Sequence, residues 1–194
     1  GVQTCTLPIF FKAAGRRILG VDPAKEITAR TIAAGIPVVN DFFTPELARA
    51  IRAERGTASV ICANNVIAHI DDLGHVMEGV KLLLAADGIF VFEVAYLVDL
   101  LEQTLFDTIY HEHLDYHSVA PLIRFFDRYG LELIETTRVA THGGSLRGVL
   151  QHKGRARNVG ASVAGALATE KLLGIARADT FQTSATHIEK VKSD

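Results

Sequence analysis

An α/β fold, with a mostly parallel sheet and a late antiparallel hairpin, is what this 194-residue sequence predicts. Three observations carry the prediction. Short apolar runs alternate with helical stretches of about ten residues or more, the signature of βαβ units. One run, "GIFVFEV" at 88–94, is so apolar that both its faces should be covered, as in a parallel sheet. Two late strand-like segments flank His142-Gly143-Gly144, a tight turn suited to an antiparallel pair.

Each element follows from local signals. Residues 7–14 suit a helix, with Pro8 confined to its first turn. "RRILGVD" (16–22) is a short apolar run ending in an acid, a buried strand. "PAKEITARTIAAG" (23–35) opens with proline and closes with glycine, the usual helix punctuation. "IPVVND" (36–41) is the next strand, and Thr44 caps a helix over 45–55 with Pro45 at its first position. "ASVICAN" (58–64) is a strand, 71–85 a helix, 88–94 the apolar strand and 95–104 helical again. After a histidine-rich stretch come an amphipathic helix (119–130) and two strands, 131–140 and 145–153. A methyltransferase-type domain boundary is drawn at residue 153, with 154–194 as the helical start of a C-terminal region. A hairpin appended to a parallel sheet is the pattern of S-adenosylmethionine-dependent methyltransferases rather than of most dehydrogenases.

Composition narrows the function classes. The chain is 48% hydrophobic and 22% charged, with a formal net charge of −2. That balance gives no electrostatic reason to expect nucleic acid or an acidic membrane surface. No apolar run reaches the roughly 20 residues needed to span a bilayer. The two cysteines, Cys5 and Cys62, form neither a disulfide framework nor a cysteine-rich zinc site. A cytoplasmic protein is expected.

In an open parallel sheet, ligand binds beyond the carboxyl ends of the strands. That rule gathers Asp22, Asp41, Asn64 and the residues after Val94 around one cleft. Asp22 can accept hydrogen bonds from both hydroxyls of an adenosine ribose; it can equally cap the following helix. Asp41 and Phe42 offer an acceptor for an adenine amino group and a ring face, or simply a strand end beside core phenylalanines. His69 follows Asn64 and Asn65 near a helix start. The stretch "DTIYHEHLDYH" (107–117) concentrates three histidines, two tyrosines and three acids in eleven residues. Its spacing supplies no local three-ligand metal set, and no H-E-x-x-H occurs. A proton-handling site without metal is the expectation, with a wet surface loop as the alternative.

"FEVAYLVDLLEQTLFDTIYHEHLDYHS" with "THGGSLR", and "RRILGVDPAKE", "GIPVVNDFF" and "ANNVIAHIDD" in the same order, resemble the sugar C-methyltransferases that act on nucleotide-linked keto-deoxysugars. The resemblance covers nearly the whole chain. It implies a class I methyltransferase (Rossmann-like) fold, S-adenosyl-L-methionine as cofactor and a small-molecule nucleotide sugar as partner. It also implies that Tyr110, Glu112 and His113 line the active site, with His113 the favoured base and His69 nearby. Carbon beside a ketone becomes nucleophilic only as an enolate. A positioned base contributes about 10² to 10⁴ in rate, and donors at the developing oxyanion often contribute more. His113 would take the proton, Glu112 would support it, and Tyr110 or His69 would donate to the oxyanion.

The chain departs from the family at its start. The family's glycine-rich turn, approximately G-S-N-D-G-T-L-L, aligns with "GVQTCTLP". Gly1 fits, but Cys5 replaces a glycine and Thr4 an aspartate. The first, central strand and the family's zinc-binding module would lie before residue 1. A fragment or a degenerate copy is therefore expected. The rival readings are a non-catalytic remnant of the family and a nicotinamide-dependent sugar oxidoreductase, the latter lacking the dinucleotide glycines.

Overall fold

The computed structural model describes residues 6–193, and side chains over 8–191. Residues 1–5, with Gly1 and the altered first turn, lie outside them. The order of elements is α1 (Thr6–Ala13), β1 (Gly20–Val21), α2 (Lys25–Ala33), β2 (Val38–Val39), α3 (Pro45–Arg55), β3 (Ala58–Asn64), α4 (Leu73–Leu83), β4 (Leu84–Ala95) and α5 (Leu97–Gln103). Then follow α6 (Val119–Arg128), β5 (Leu131–Val139), β6 (Ser145–His152), α7 (Ala161–Leu173) and α8 (Ala178–Ser193). No described helix is long and apolar enough to cross a membrane.

Local signals set several boundaries residue for residue. Thr44 Oγ accepts the Leu47 N–H at 3.2 Å, and α3 starts at Pro45 behind that cap. Asp72 caps α4 in the same way, accepting the His75 N–H at 2.9 Å. The two early strands differ from expectation. The runs 16–22 and 36–41 shorten to two residues each, and they pair only with each other, parallel, Gly20 against Val38 and Val21 against Val39. The expected single sheet is thus two sheets. The second has the order β3-β4-β6-β5, with β3 parallel to β4 and β6 antiparallel to both neighbours.

The break falls between β1 and β3, because Leu19 and Val21 pack beside Ala58 and Ile61 on the α3 residues Ala48 and Ile51. That is where the family pattern places a central strand, and among the described residues no strand lies there. A ladder with a partner on one edge only offers few backbone bonds to hold a long strand. This accounts for the brevity of β1 and for an exposed Val60 on β3.

The four-stranded sheet carries the main core. Phe90, Phe92 and Val94 of β4 are buried with Met77 and Val80 of α4, Phe126 of α6 and Leu146 and Leu150 of β6. Burial of each large side chain is worth about 1.5–3 kcal/mol. Gly148 pairs with Phe92 across the strands. A Cβ at Gly148 would lie 2.3 Å from the Phe92 ring, so the ring packs flat over bare backbone. On α6, Val119, Leu122 and Phe126 form the buried stripe.

α6 lacks a cap of its own, since Ser118 makes no side-chain cap bond. Glu170 of α7 supplies one from 50 residues away. Its carboxylate accepts the N–H groups of Val119 and Ala120 and the hydroxyl of Tyr96 at 3.0 Å. A carboxylate at a helix N-terminus satisfies unpaired donors and complements the helix dipole. Burial, then the adjacent Glu170, push the Tyr96 phenol well above its ordinary range. The carboxylate therefore fastens α7, α6 and the end of β4 together.

Candidate active site

Two histidine-bearing segments leave the carboxyl ends of β3 and β4. After β3, Asn65 takes a left-handed conformation (φ 53°). Its N–H donates to the Glu93 carbonyl at 2.7 Å. The chain then makes a 3-10 turn over Ile67–His69, with Ile67 and Ala68 buried and His69 outward. After α5, Thr104 is also left-handed (φ 56°). A second 3-10 turn, Phe106–Thr108, leads to the histidine stretch. The Leu114 N–H donates to the Ala68 carbonyl at 2.8 Å, tying the segments together. Left-handed non-glycine residues cost energy and cluster at functional sites.

The two imidazoles are set the same way. His113 Nδ1 lies 2.8 Å from the Thr108 carbonyl and His69 Nδ1 2.8 Å from the Glu112 carbonyl. A carbonyl only accepts, so each Nδ1 carries the proton and donates it. Each Nε2 then presents its lone pair. The rings stand 5.0 Å apart. Tyr110 stacks on His113 at 4.3 Å between centroids, with its hydroxyl 3.1 Å from His113 Nε2. The hydroxyl donates there. Tyr116 meets His113 edge-on and donates its hydroxyl to the same Thr108 carbonyl at 3.1 Å.

Glu112 takes a different part from the expected one. Its carboxylate lies 4.0 Å from His111 Nε2, and both side chains are exposed. Its main-chain carbonyl is what reaches the pair, by holding His69. The position a supporting acid would take on His113 is already filled by the Thr108 carbonyl.

Three of the proposed cofactor residues, Asp22, Asp41 and Phe42, follow the ends of β1 and β2. Asp22 Oδ1 accepts the Ala24 N–H at 2.8 Å, and the Asp22 carbonyl accepts Asn40 Nδ2 at 2.9 Å. The Asp22 side chain thus forms a turn ahead of α2, whose cap position is Ala24. Asp41 Oδ1 accepts the N–H of Phe42, whose ring is 69% exposed. Asn64 ends β3 and is exposed.

Sequence reasoning missed Glu93. It is 3% exposed, at the carboxyl end of β4. It accepts Thr141 Oγ1 at 2.7 Å and two guanidinium nitrogens of Arg147 at 2.8 and 3.1 Å. Burial pushes its carboxyl up, but the Thr141 hydrogen bond and Arg147 outweigh that and hold it below its ordinary range. Its side chain so anchors the β5–β6 turn, while its carbonyl anchors Asn65. An acid inside an apolar strand was the available signal. In the turn, Gly143 and Gly144 have φ of 84° and 138°, as a glycine pair there predicts, and His142 is left-handed too (φ 52°).

Comparison with known proteins identifies the family and the fold. Residues 6–136 match the family model of a methyltransferase domain, and residues 140–194 that of a C-methyltransferase C-terminal domain. The chain is 36% identical over 183 residues to the C-methyltransferase NovU of Streptomyces niveus, covering 94% of this chain and 44% of that protein. The chain thus spans less than half the length of that relative. Among solved structures, the CcbJ methyltransferase of Streptomyces caelestis shares the fold with a TM-score of 0.57 at 14% identity, over 74% of this chain and 78% of that one. Magnesium protoporphyrin IX methyltransferase of Synechocystis, solved with bound SAH, gives 0.56 at 13% identity, over 74% and 68%. These neighbours establish a class I methyltransferase fold.

Proposed function

We propose a C-methyl transfer to a nucleotide-linked keto-deoxysugar, through base-assisted enolisation, for this chain, which belongs to the methyltransferase domain family. The observation that supports it is the paired imidazoles with their Nδ1–H groups pinned to main-chain carbonyls and the Tyr110 hydroxyl on His113 Nε2.

The described residues suit the adenosine half of S-adenosylmethionine. Asp22 and Asp41 each commit one oxygen to a local N–H. Their second oxygens are left for ribose hydroxyls and the adenine amino group, with the exposed Phe42 ring beside them. The chemistry that the cofactor supplies when bound is an electrophilic methyl group on a sulfonium, the acceptor a carbon nucleophile needs.

The protein's own part is to make that nucleophile. A substrate C–H beside the ketone gives its proton to His113 Nε2. The resulting imidazolium keeps Nδ1–H on the Thr108 carbonyl, so the ring does not turn away as it charges. Charge develops on the ketone oxygen at the same time. Tyr110 is the nearer donor for it: its O–H, held at His113 Nε2 before substrate enters, turns to the ketone oxygen and so frees that lone pair for the proton. A neutral His69, donating Nδ1–H to Glu112, offers only an acceptor. It helps the oxyanion only when protonated.

The test is methyl transfer by this chain from S-adenosylmethionine to a nucleotide-linked keto-deoxysugar, beside calorimetric titration with S-adenosylhomocysteine. His113→Asn is expected to lower turnover by about 10² or more. Its affinity for S-adenosylhomocysteine should stay nearly unchanged. Full turnover in that variant removes His113 as the base, and failure of the unaltered chain to bind S-adenosylhomocysteine removes the cofactor assignment.

A further inference from the structure

Beside the β5–β6 turn is a cavity of about 350 Å³ lined by Asp99, Gln103, Arg138, Ala140, Gly143 and Gly144, among others. That volume falls in the range of small-molecule sites, roughly 300–1,000 Å³. Its floor is a carboxylate in an unusual state. Asp99 is 5% exposed, and its Oδ2 is buried with no hydrogen-bond partner. Both of its partners, Arg138 at 2.5 Å and Gln103 Nε2 at 3.1 Å, go to Oδ1.

A carboxylate–arginine pair that serves only to hold the fold favours two parallel bonds, one to each oxygen. Here one Arg138 nitrogen is instead divided between Asp99 and Glu102, the latter at 2.7 Å, and Oδ2 is left over. Leaving a buried acceptor unsatisfied is unfavourable. The turn is shaped around this carboxylate. A Cβ at Gly144 would fall 2.3 Å from Asp99 Cγ, so only glycine lets the backbone come so close. Gln103 and Arg138 are both exposed, but Arg138 is tied to two carboxylates while Gln103 makes its one bond from a flexible side chain that can swing into solvent.

We infer that this cavity is a binding subsite for a hydrogen-bond donor on a saturated ring, a hydroxyl or an amino group, which enters as Gln103 swings out and supplies the donor that Asp99 Oδ2 lacks. Two carboxylates against one guanidinium leave the cluster net negative, which rejects phosphate and favours neutral or cationic donors. The cavity belongs to the same end of the sheet as the histidines. Gly143 packs against Leu105, and the Leu105 carbonyl accepts Thr108 Oγ1 at 2.7 Å, in the residue whose carbonyl holds His113. The assignment of the donor to a sugar substituent rests on the proposed sugar substrate. The existence of the subsite does not.

The test reads binding alone, without cofactor or turnover. The chain, labelled with nitrogen-15, is titrated with a methyl hexopyranoside, with its amino-substituted counterpart, and with the fully O-methylated glycoside that has no donors. At least one of the first two should shift the amide signals of Gly143 and Gly144 and the Gln103 side-chain signal, while the O-methylated glycoside should not. Preference between the first two tells hydroxyl from ammonium. Asp99→Asn is expected to weaken the binding about tenfold or more. Equal shifts with the O-methylated glycoside, or none with any probe, overturn the subsite, and neither result depends on whether Asp99→Asn folds. Loss of methyl transfer with these shifts intact would instead count against the proposed reaction.

Discussion

The histidine-bearing side of the molecule and its nucleoside side are held by different means. His113 is fixed by the carbonyl of Thr108, five residues away, but His69 is held by Glu112 across 43, and the segments that carry them hang on distant groups: Glu93, bonded to Thr141 and Arg147 48 and 54 residues away, and Glu170, capping α6 across 50. On the proposed nucleoside side, Asp22 and Asp41 are engaged by their own turns, just past strands two residues long. One side is set by tertiary clamps and the other by local turns. Substitutions on the first side should therefore cost stability, and on the second chiefly ligand.

The largest effect should come from the clamp. Glu170→Ala leaves the Val119 and Ala120 N–H groups and the Tyr96 hydroxyl without their acceptor. We expect it to lower unfolding free energy by about 3 kcal/mol, measured by urea denaturation. A loss below about 1 kcal/mol would erase the distinction between the two sides. Next comes Asp22→Ala. It should weaken S-adenosylhomocysteine binding about tenfold while changing stability by no more than about 1 kcal/mol. A melt that moves as far as the Glu170 variant's would show Asp22 to be structural.

The smallest effect is in pH. His117 is buried, its Nε2 has no partner, and burial lowers its pKa below 6.5, with Asp115 offsetting part of that. The unfolded ring binds a proton more readily than the folded one. The stability this contributes is fully present above pH 6.5 and is lost as pH falls through the lowered folded value. Thermal melts between pH 7 and 5 should fall more steeply for the unaltered chain than for His117→Gln. Glu93 acts in a lower window. Its folded pKa is depressed from 4.5, so its contribution stands above that value and is lost as pH falls through the folded one.

Much of this fold was legible from local signals. Thr44 with Pro45 fixed the start of α3, whose span 45–55 was read to the residue, and "ASVICAN" bounded β3, because caps and proline act within a turn of the chain. β1 and β2 were read too long, since a strand's length depends on what pairs with its other edge. The histidine cluster was visible because its members are neighbours in sequence. The part played by the Glu112 backbone was not, since carbonyls have no residue identity to read.

By itself, then, the sequence determined the order and type of the elements and the residues able to handle a proton. These rest on periodicity, on capping chemistry and on side-chain identity, all of which act over a few residues. The tertiary structure alone decided which nitrogen of each imidazole carries the proton, which acid is buried at the end of β4, and which carboxylate closes α6. Apart from His113, those depend on groups 43 to 74 residues apart meeting within about 3 Å, a coincidence that packing creates and no local pattern encodes.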